Sequence, residues 1–120
     1  MKLRVIAGCA LLTLGSALPF ADHAFAGDTP QRIEVVAKRF DFTPAEITVK
    51  KGSPVTLVLT SKDVDHGLKF KDLGVALSAK KGEANEITFT PDKTGNFVGQ
   101  CFHFCGSGHG SMKMTLHVTE

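Results

Sequence analysis

From residue 27 onward the sequence is built from short alternating apolar and polar runs. No window of twelve residues there carries a helical stripe, so the chain must fold as paired strands. Ile33-Glu34-Val35-Val36-Ala37 is a β-branched run, and Glu46-Ile47-Thr48-Val49 alternates before the turn residues Lys50-Lys51-Gly52-Ser53-Pro54. Val55 to Thr60 alternates again, with Val55, Leu57 and Leu59 on one face. Glu86 to Thr90 repeats the pattern before the turn from Pro91 to Gly95. Phe97-Val98 and Thr115-Leu116-His117-Val118 make the last two strands, while Phe40–Ala45 and Asp72–Ala79 read as irregular crossings. Strands this short, with turn signals about every 8–12 residues, predict an all-β sandwich or small barrel. Phenylalanine has to supply the aromatic core, because the chain has nine Phe and neither Trp nor Tyr.

The first 26 residues follow a different logic. Lys2 and Arg4 precede an apolar stretch from Val5 to Leu18, Pro19 breaks it, and Ala24-Phe25-Ala26 offers small residues at a cleavage position. That order reads as a secretory signal peptide over residues 1–26. The stretch is shorter than the ~20 residues a membrane span needs. Ile6-Ala7-Gly8-Cys9 looks like a lipoprotein cleavage box, but the apolar run continues past Cys9, which is therefore read as part of the leader. The expected product is one exported, periplasmic domain, residues 27–120, with no membrane span. Lys2, Arg4 and Asp22 lie in the leader, so the 14 basic and 12 acidic residues of the whole chain become 12 and 11. No basic stripe stands out from that balance, which argues against nucleic acid as a partner.

Cys101 and Cys105 are the two cysteines left after the leader. In an oxidising compartment a disulfide is their simplest use, although so small a loop would constrain the unfolded chain little. Their neighbours suggest another use. Cys101-Phe102-His103-Phe104-Cys105-Gly106-Ser107-Gly108-His109-Gly110-Ser111-Met112 has the skeleton C-x3-C-x3-H-x2-M. Thiolates, an imidazole and a thioether are soft or borderline donors that together suit copper, whereas zinc and iron sites seldom recruit Met. Glycines 106, 108 and 110 would let the backbone fold tightly around an ion. His66, in Asp65-His66-Gly67 at the start of a strand, is the expected donor from elsewhere in the chain.

This loop resembles the binuclear copper centre of cytochrome c oxidase subunit II and its relatives, the CuA cupredoxins. Asp63-Val64-Asp65-His66-Gly67 resembles the family's segment with the first histidine, and the likeness spans residues 31–120. It implies a cupredoxin-like Greek-key β-sandwich or barrel holding two copper ions. Cys101 and Cys105 would bridge both ions, His66 and His109 would bind one each, Met112 would be a weak axial ligand, and His103 would offer its backbone carbonyl. The implied role is one-electron transfer with a redox partner protein, as a detached oxidase-like component rather than an enzyme. Two departures stand out: the family's paired membrane helices are replaced by a leader, and its Trp and Tyr electron-entry cluster has no counterpart. Phe102 and Phe104 flank the site, either as a partner-facing patch or as core.

Two other roles use the same residues. One is a copper carrier or donor that passes metal to another protein. The other is a mononuclear cupredoxin built from His66, Cys105, His109 and Met112, which Cys101 discriminates. Met114 reads as core filler and His117 as a surface histidine. The chain has no Ser-His-Asp signature and no phosphate loop with a following lysine.

Overall fold

The computed structural model describes residues 29–120, so the leader, its cleavage position and Cys9 lie outside the described residues. Two sheets pack face to face. The four-stranded sheet runs β2 (Asp41–Thr43), β1 (Gln31–Lys38), β4 (Val55–Ser61), β7 (Ala84–Phe89). The five-stranded sheet runs β3 (Glu46–Lys50), β9 (Lys113–Thr119), β8 (Gly95–Gln100), β5 (His66–Phe70), β6 (Val75–Ala79). The pairs β1/β4 and β3/β9 are parallel, and the other ladders are antiparallel. Among the described residues there is no α-helix, only 3-10 turns at Lys71–Leu73 and His109–Ser111.

The core lies between the sheets and is filled by the inward half of each alternation: Val35 and Ala37, Ile47 and Val49, Leu68 and Phe70, Met114, Leu116 and Val118. β4 departs from its expected alternation. Val55, Leu57 and Leu59 face the core, yet Thr56 and Val58 on the other face are buried as well. The register explains it, since Val58 lies between Glu34 and Glu86, and Thr56 between Arg32 and Thr88. Arg32 on β1 reaches Glu86 on β7 at 2.9 Å, so two long side chains cross over the middle strand and cover it with their stems. Thr56 and Thr88 hydrogen-bond to each other at 2.7 Å.

The two expected crossings are partly strands. Asp72–Ala79 resolves into the end of a 3-10 turn, Gly74 at φ 65°, and then β6, which pairs residue for residue with β5. Val75, Leu77 and Ala79 point inward there, an alternation that Ala76 and Ser78, poor strand formers, disguise in the sequence. Likewise Asp41–Thr43 is a short edge strand that buries Phe42.

The site end of the sandwich is where β1 turns into β2, β4 leads to β5, and β8 gives way to β9. Close packing beneath it depends on Gly99, whose absent Cβ would stand 2.7 Å from the Phe70 ring and 2.8 Å from Leu68 Cδ1. Both neighbours are fully buried and cannot withdraw. Gly99→Ala is therefore expected to lower unfolding free energy by about 1–3 kcal/mol in urea titrations. Glu86→Gln, which neutralises the exposed pair with Arg32 but keeps both covering stems, should change it by less than about 1 kcal/mol.

Candidate metal centre

Three loops supply the site, and the strands beneath them fix where each begins and ends. β8 and β9 pair up to Gln100–Lys113, and the Cys101 amide donates to the Met112 carbonyl at 3.1 Å, which closes the base of the loop between them. Within it, the His109 amide donates to Gly106 and the Met112 amide to His109, so the second half coils into one 3-10 turn. The loop from β4 to β5 delivers His66 at the first residue of β5.

The expected donors converge. Cys101 Sγ lies 3.9 Å from Cys105 Sγ and 4.0 Å from His66 Nδ1. Cys105 Sγ lies 3.7 Å from both His109 Nδ1 and Met112 Sδ. The donor atoms of His66, Cys101 and Cys105 all fall within 4.8 Å of one another. The His103 backbone carbonyl accepts from the Cys101 thiol at 3.2 Å, while its side chain is exposed. His66 and Met112 are fully buried and both cysteines nearly so. The cysteines are free thiols, and their sulfurs are far beyond the ~2.05 Å of a disulfide. With metal–sulfur bonds of about 2.3 Å, one ion can touch both sulfurs only if they lie within about 4.6 Å. The observed separation meets that condition.

Asp63 sets the orientation of His66. Its Oδ1 is 2.7 Å from His66 Nε2 and accepts from its own neighbour's amide, Val64, also at 2.7 Å, while Oδ2 accepts from the Arg39 amide at 2.7 Å. A carboxylate only accepts, so Nε2 carries the ring proton and Nδ1 turns a lone pair toward Cys101. Burial pushes the Asp63 carboxyl up, but the Arg39 amide, the His66 ring and the Val64 amide outweigh it and hold the group at about 2. Cys105 goes the other way: burial and the neighbouring Cys101 push its thiol up to about 11 against the pull of Arg39.

Arg39 and Phe40, at the turn from β1 to β2, strap the loop down. Arg39 Nε donates to the Cys105 carbonyl at 3.0 Å. The Phe40 ring fills the space where a Cβ on Gly108 would stand 2.4 Å away and one on Gly106 3.0 Å away. Gly106 also needs φ 135°, a conformation that favours glycine. Gly110 has open space around it and no positive φ, so of the three loop glycines it is the one the geometry does not require.

Arg39, Phe40 and Asp63 were not legible as site residues. Asp63 sits in the segment that resembles the family's first-histidine stretch, and an acid three residues before a metal-type histidine is a usable signal. Arg39 and Phe40 lie more than sixty residues before the loop, and nothing local marks them. Met114 is buried core, as expected. His117 is a satisfied surface residue, with Nδ1 2.6 Å from Asn96 Oδ1. Phe102 and Phe104 are 48% and 75% exposed, so neither joins the core, and the Phe102 ring occupies the space where a Cβ on Gly67 would stand 2.7 Å away.

Residues 29–119 match the family described as cytochrome C oxidase subunit II, periplasmic domain. The chain is 30% identical over 106 residues to cytochrome c oxidase subunit 2 of Thermus thermophilus, covering 85% of this chain and 78% of that one. Against subunit 2 of Myxine glutinosa it is 33% identical over 72 residues, 60% of this chain, and spans only 31% of that relative's length. The crystal structure of the periplasmic domain of subunit II of cytochrome oxidase from Bradyrhizobium japonicum superposes with a TM-score of 0.69 at 25% identity. That alignment covers 75% of this chain and 84% of that one. The two-sheet architecture is thus the expected cupredoxin-like sandwich.

Two consequences can be measured on the copper-free chain. Asp63 has a folded pKa of about 2 against an ordinary 3.8, so its charged form stabilises the fold above about pH 4, and that contribution is lost as pH falls toward 2. Urea midpoints between pH 6 and 2 should therefore fall less steeply for Asp63→Asn, which should also be less stable at neutral pH. Gly108→Ala should displace Phe40 and cost about 1–3 kcal/mol, whereas Gly110→Ala should stay within about 0.5 kcal/mol of the parent.

Proposed function

The chain belongs to the family of cytochrome c oxidase subunit II periplasmic domains, and we propose that it is a copper protein transferring single electrons through a binuclear, CuA-like centre. Cys101 and Cys105 would hold two copper ions between them, with His66 and His109 as the nitrogen donors and Met112 and the His103 carbonyl as the weaker ones. The observation that carries this reading is the pair of thiols 3.9 Å apart, with His66 beside Cys101 and His109 beside Cys105.

Bound copper supplies a one-electron redox couple, and the rest of the task is positional. Asp63 holds His66 in the tautomer that presents Nδ1, and Arg39 fixes the Cys105 carbonyl. Ligands held this rigidly change little between oxidation states, which keeps electron transfer fast. Burial of His66, Met112 and both sulfurs leaves little room for a substrate, which favours electron transfer over catalysis at the metal. The thiols must lose their protons to bind, and with Cys105 raised to about 11 the cation has to displace that proton, so affinity rises with pH. The proposal extends to residues 1–26 as a cleaved secretory signal, 27–120 as the functional domain, the periplasm as its compartment and a redox protein as its partner. No helix among the described residues is long and apolar enough to cross a membrane.

The test is copper content together with an electron paramagnetic resonance spectrum of the oxidised, loaded protein. About two coppers per chain, with one unpaired electron spread over both nuclei, are expected. Cys101→Ser should retain at most about one copper with a single-nucleus pattern. An undiminished two-copper spectrum in that variant would overturn the bridging role, and loosely held copper without a stable oxidised signal would favour copper delivery instead.

A further inference from the structure

Cys101 comes near the surface on one particular side. Lys69, Lys71, Val98, Gln100, Cys101 and Phe102 line a groove of about 610 Å³ on the outer face of the five-stranded sheet. Its apolar part is exposed: Val98 is 50% and Phe102 48% accessible. Its charge has one dominant sign. Lys69 and Gln100 face each other across β5 and β8, and Gln100 faces Lys113 across β8 and β9, with both lysines exposed. Lys71 stands at the turn that follows β5, and Asp72 is the one acidic side chain lining the groove. Lys93 Nζ, donating to the Asp72 carbonyl at 3.3 Å, adds a further positive charge at that edge. The chain as a whole carries a formal charge of only +2, so the field here is a local feature.

We infer that this face is the docking surface for an acidic partner protein. An apolar centre of Val98 and Phe102, rimmed by lysines, has the layout of a transient protein interface. Lysines steer a negatively charged surface toward it and suppress a basic one. The inference rests on the electron-transfer reading for its purpose: Cys101, a proposed bridge between the coppers, lines the groove floor, so a protein seated there is separated from the centre by little intervening structure.

Two c-type cytochromes serve as probes, one acidic and one basic, mixed in the ferric state with the reduced, copper-loaded chain in stopped flow. One electron leaves the copper centre and enters the ferric haem, with no bond or proton transferred. The rate with the acidic cytochrome should fall as salt rises, and that with the basic one should not. Lys69→Glu combined with Lys71→Glu should lower the acidic cytochrome's low-salt rate by about tenfold or more. Lys50→Glu with Lys51→Glu changes net charge equally, but at the far end of β3, where Lys50 pairs with Thr119, and should have little effect. Equal loss in both double variants, or a salt-attractive rate with the basic cytochrome, would overturn the proposal.

Nuclear magnetic resonance titration of the copper-free chain with the acidic cytochrome reads docking without redox chemistry. Amide shifts centred on Lys69, Val98 and Phe102 are expected, and shifts centred on another face would overturn the surface. Binding to anionic phospholipid vesicles in preference to the cytochrome, or self-association through these residues, would replace the acidic protein with a membrane or a second copy. Docking on this face by a loaded chain that passes no electron would uphold the surface and overturn the electron-transfer reading.

Discussion

Two thiols are kept 3.9 Å apart in a nearly dry pocket, close enough to share an ion and not joined to each other. Only three residues separate them in the chain, so nothing but the fold around them prevents the loop from relaxing. The β8/β9 ladder fixes the loop's two ends, the 3-10 turn sets the position of His109, and the Arg39–Phe40 turn bears on its outer side. Each support comes from a different part of the chain, and the sandwich is the device that brings them to one end.

The electrostatics of that end are arranged around a single carboxylate. Asp63 accepts from the amides of Arg39 and Val64 and faces the His66 ring, so one group links the β1–β2 turn to the start of β5. A buried imidazole would otherwise leave one ring nitrogen without a partner, which is costly in a small domain. Among the described residues, no buried side-chain nitrogen or oxygen lacks a partner.

Much of this was readable from the sequence. The strands around Ile47, Leu57 and Ile87 announce themselves by alternation and that around Ile33 by a β-branched run, and the expected ligand positions are marked by donor type and, within the loop, by spacing. What escaped is instructive. β6 is hidden because Ala-Leu-Ser-Ala has weak strand preference, and pairing with β5 rather than intrinsic tendency makes it a strand. Val58 and Thr56 look solvent-facing until register places Arg32 and Glu86 across them. Arg39 and Phe40 act at a distance of more than sixty residues, and only tertiary structure brings such pairs together. Gly106, Gly108 and Gly110 look equivalent in sequence, yet only the first two have a steric reason.

The loop geometry has a consequence for how metal and folding energetics are coupled. Of the proposed side-chain ligands, Cys101, Cys105, His109 and Met112 fall within twelve consecutive residues, whereas His66 is thirty-five residues earlier. If these residues hold copper as proposed, an unfolded chain would keep those four donors near one another in sequence, and whatever copper it bound there would reduce the stabilisation that loading gives the fold. The gain in folding free energy on loading would then come from what the unfolded chain lacks: the distant imidazole and the fixed separation of the sulfurs. Tight copper binding and modest thermal protection by copper are then compatible in one protein.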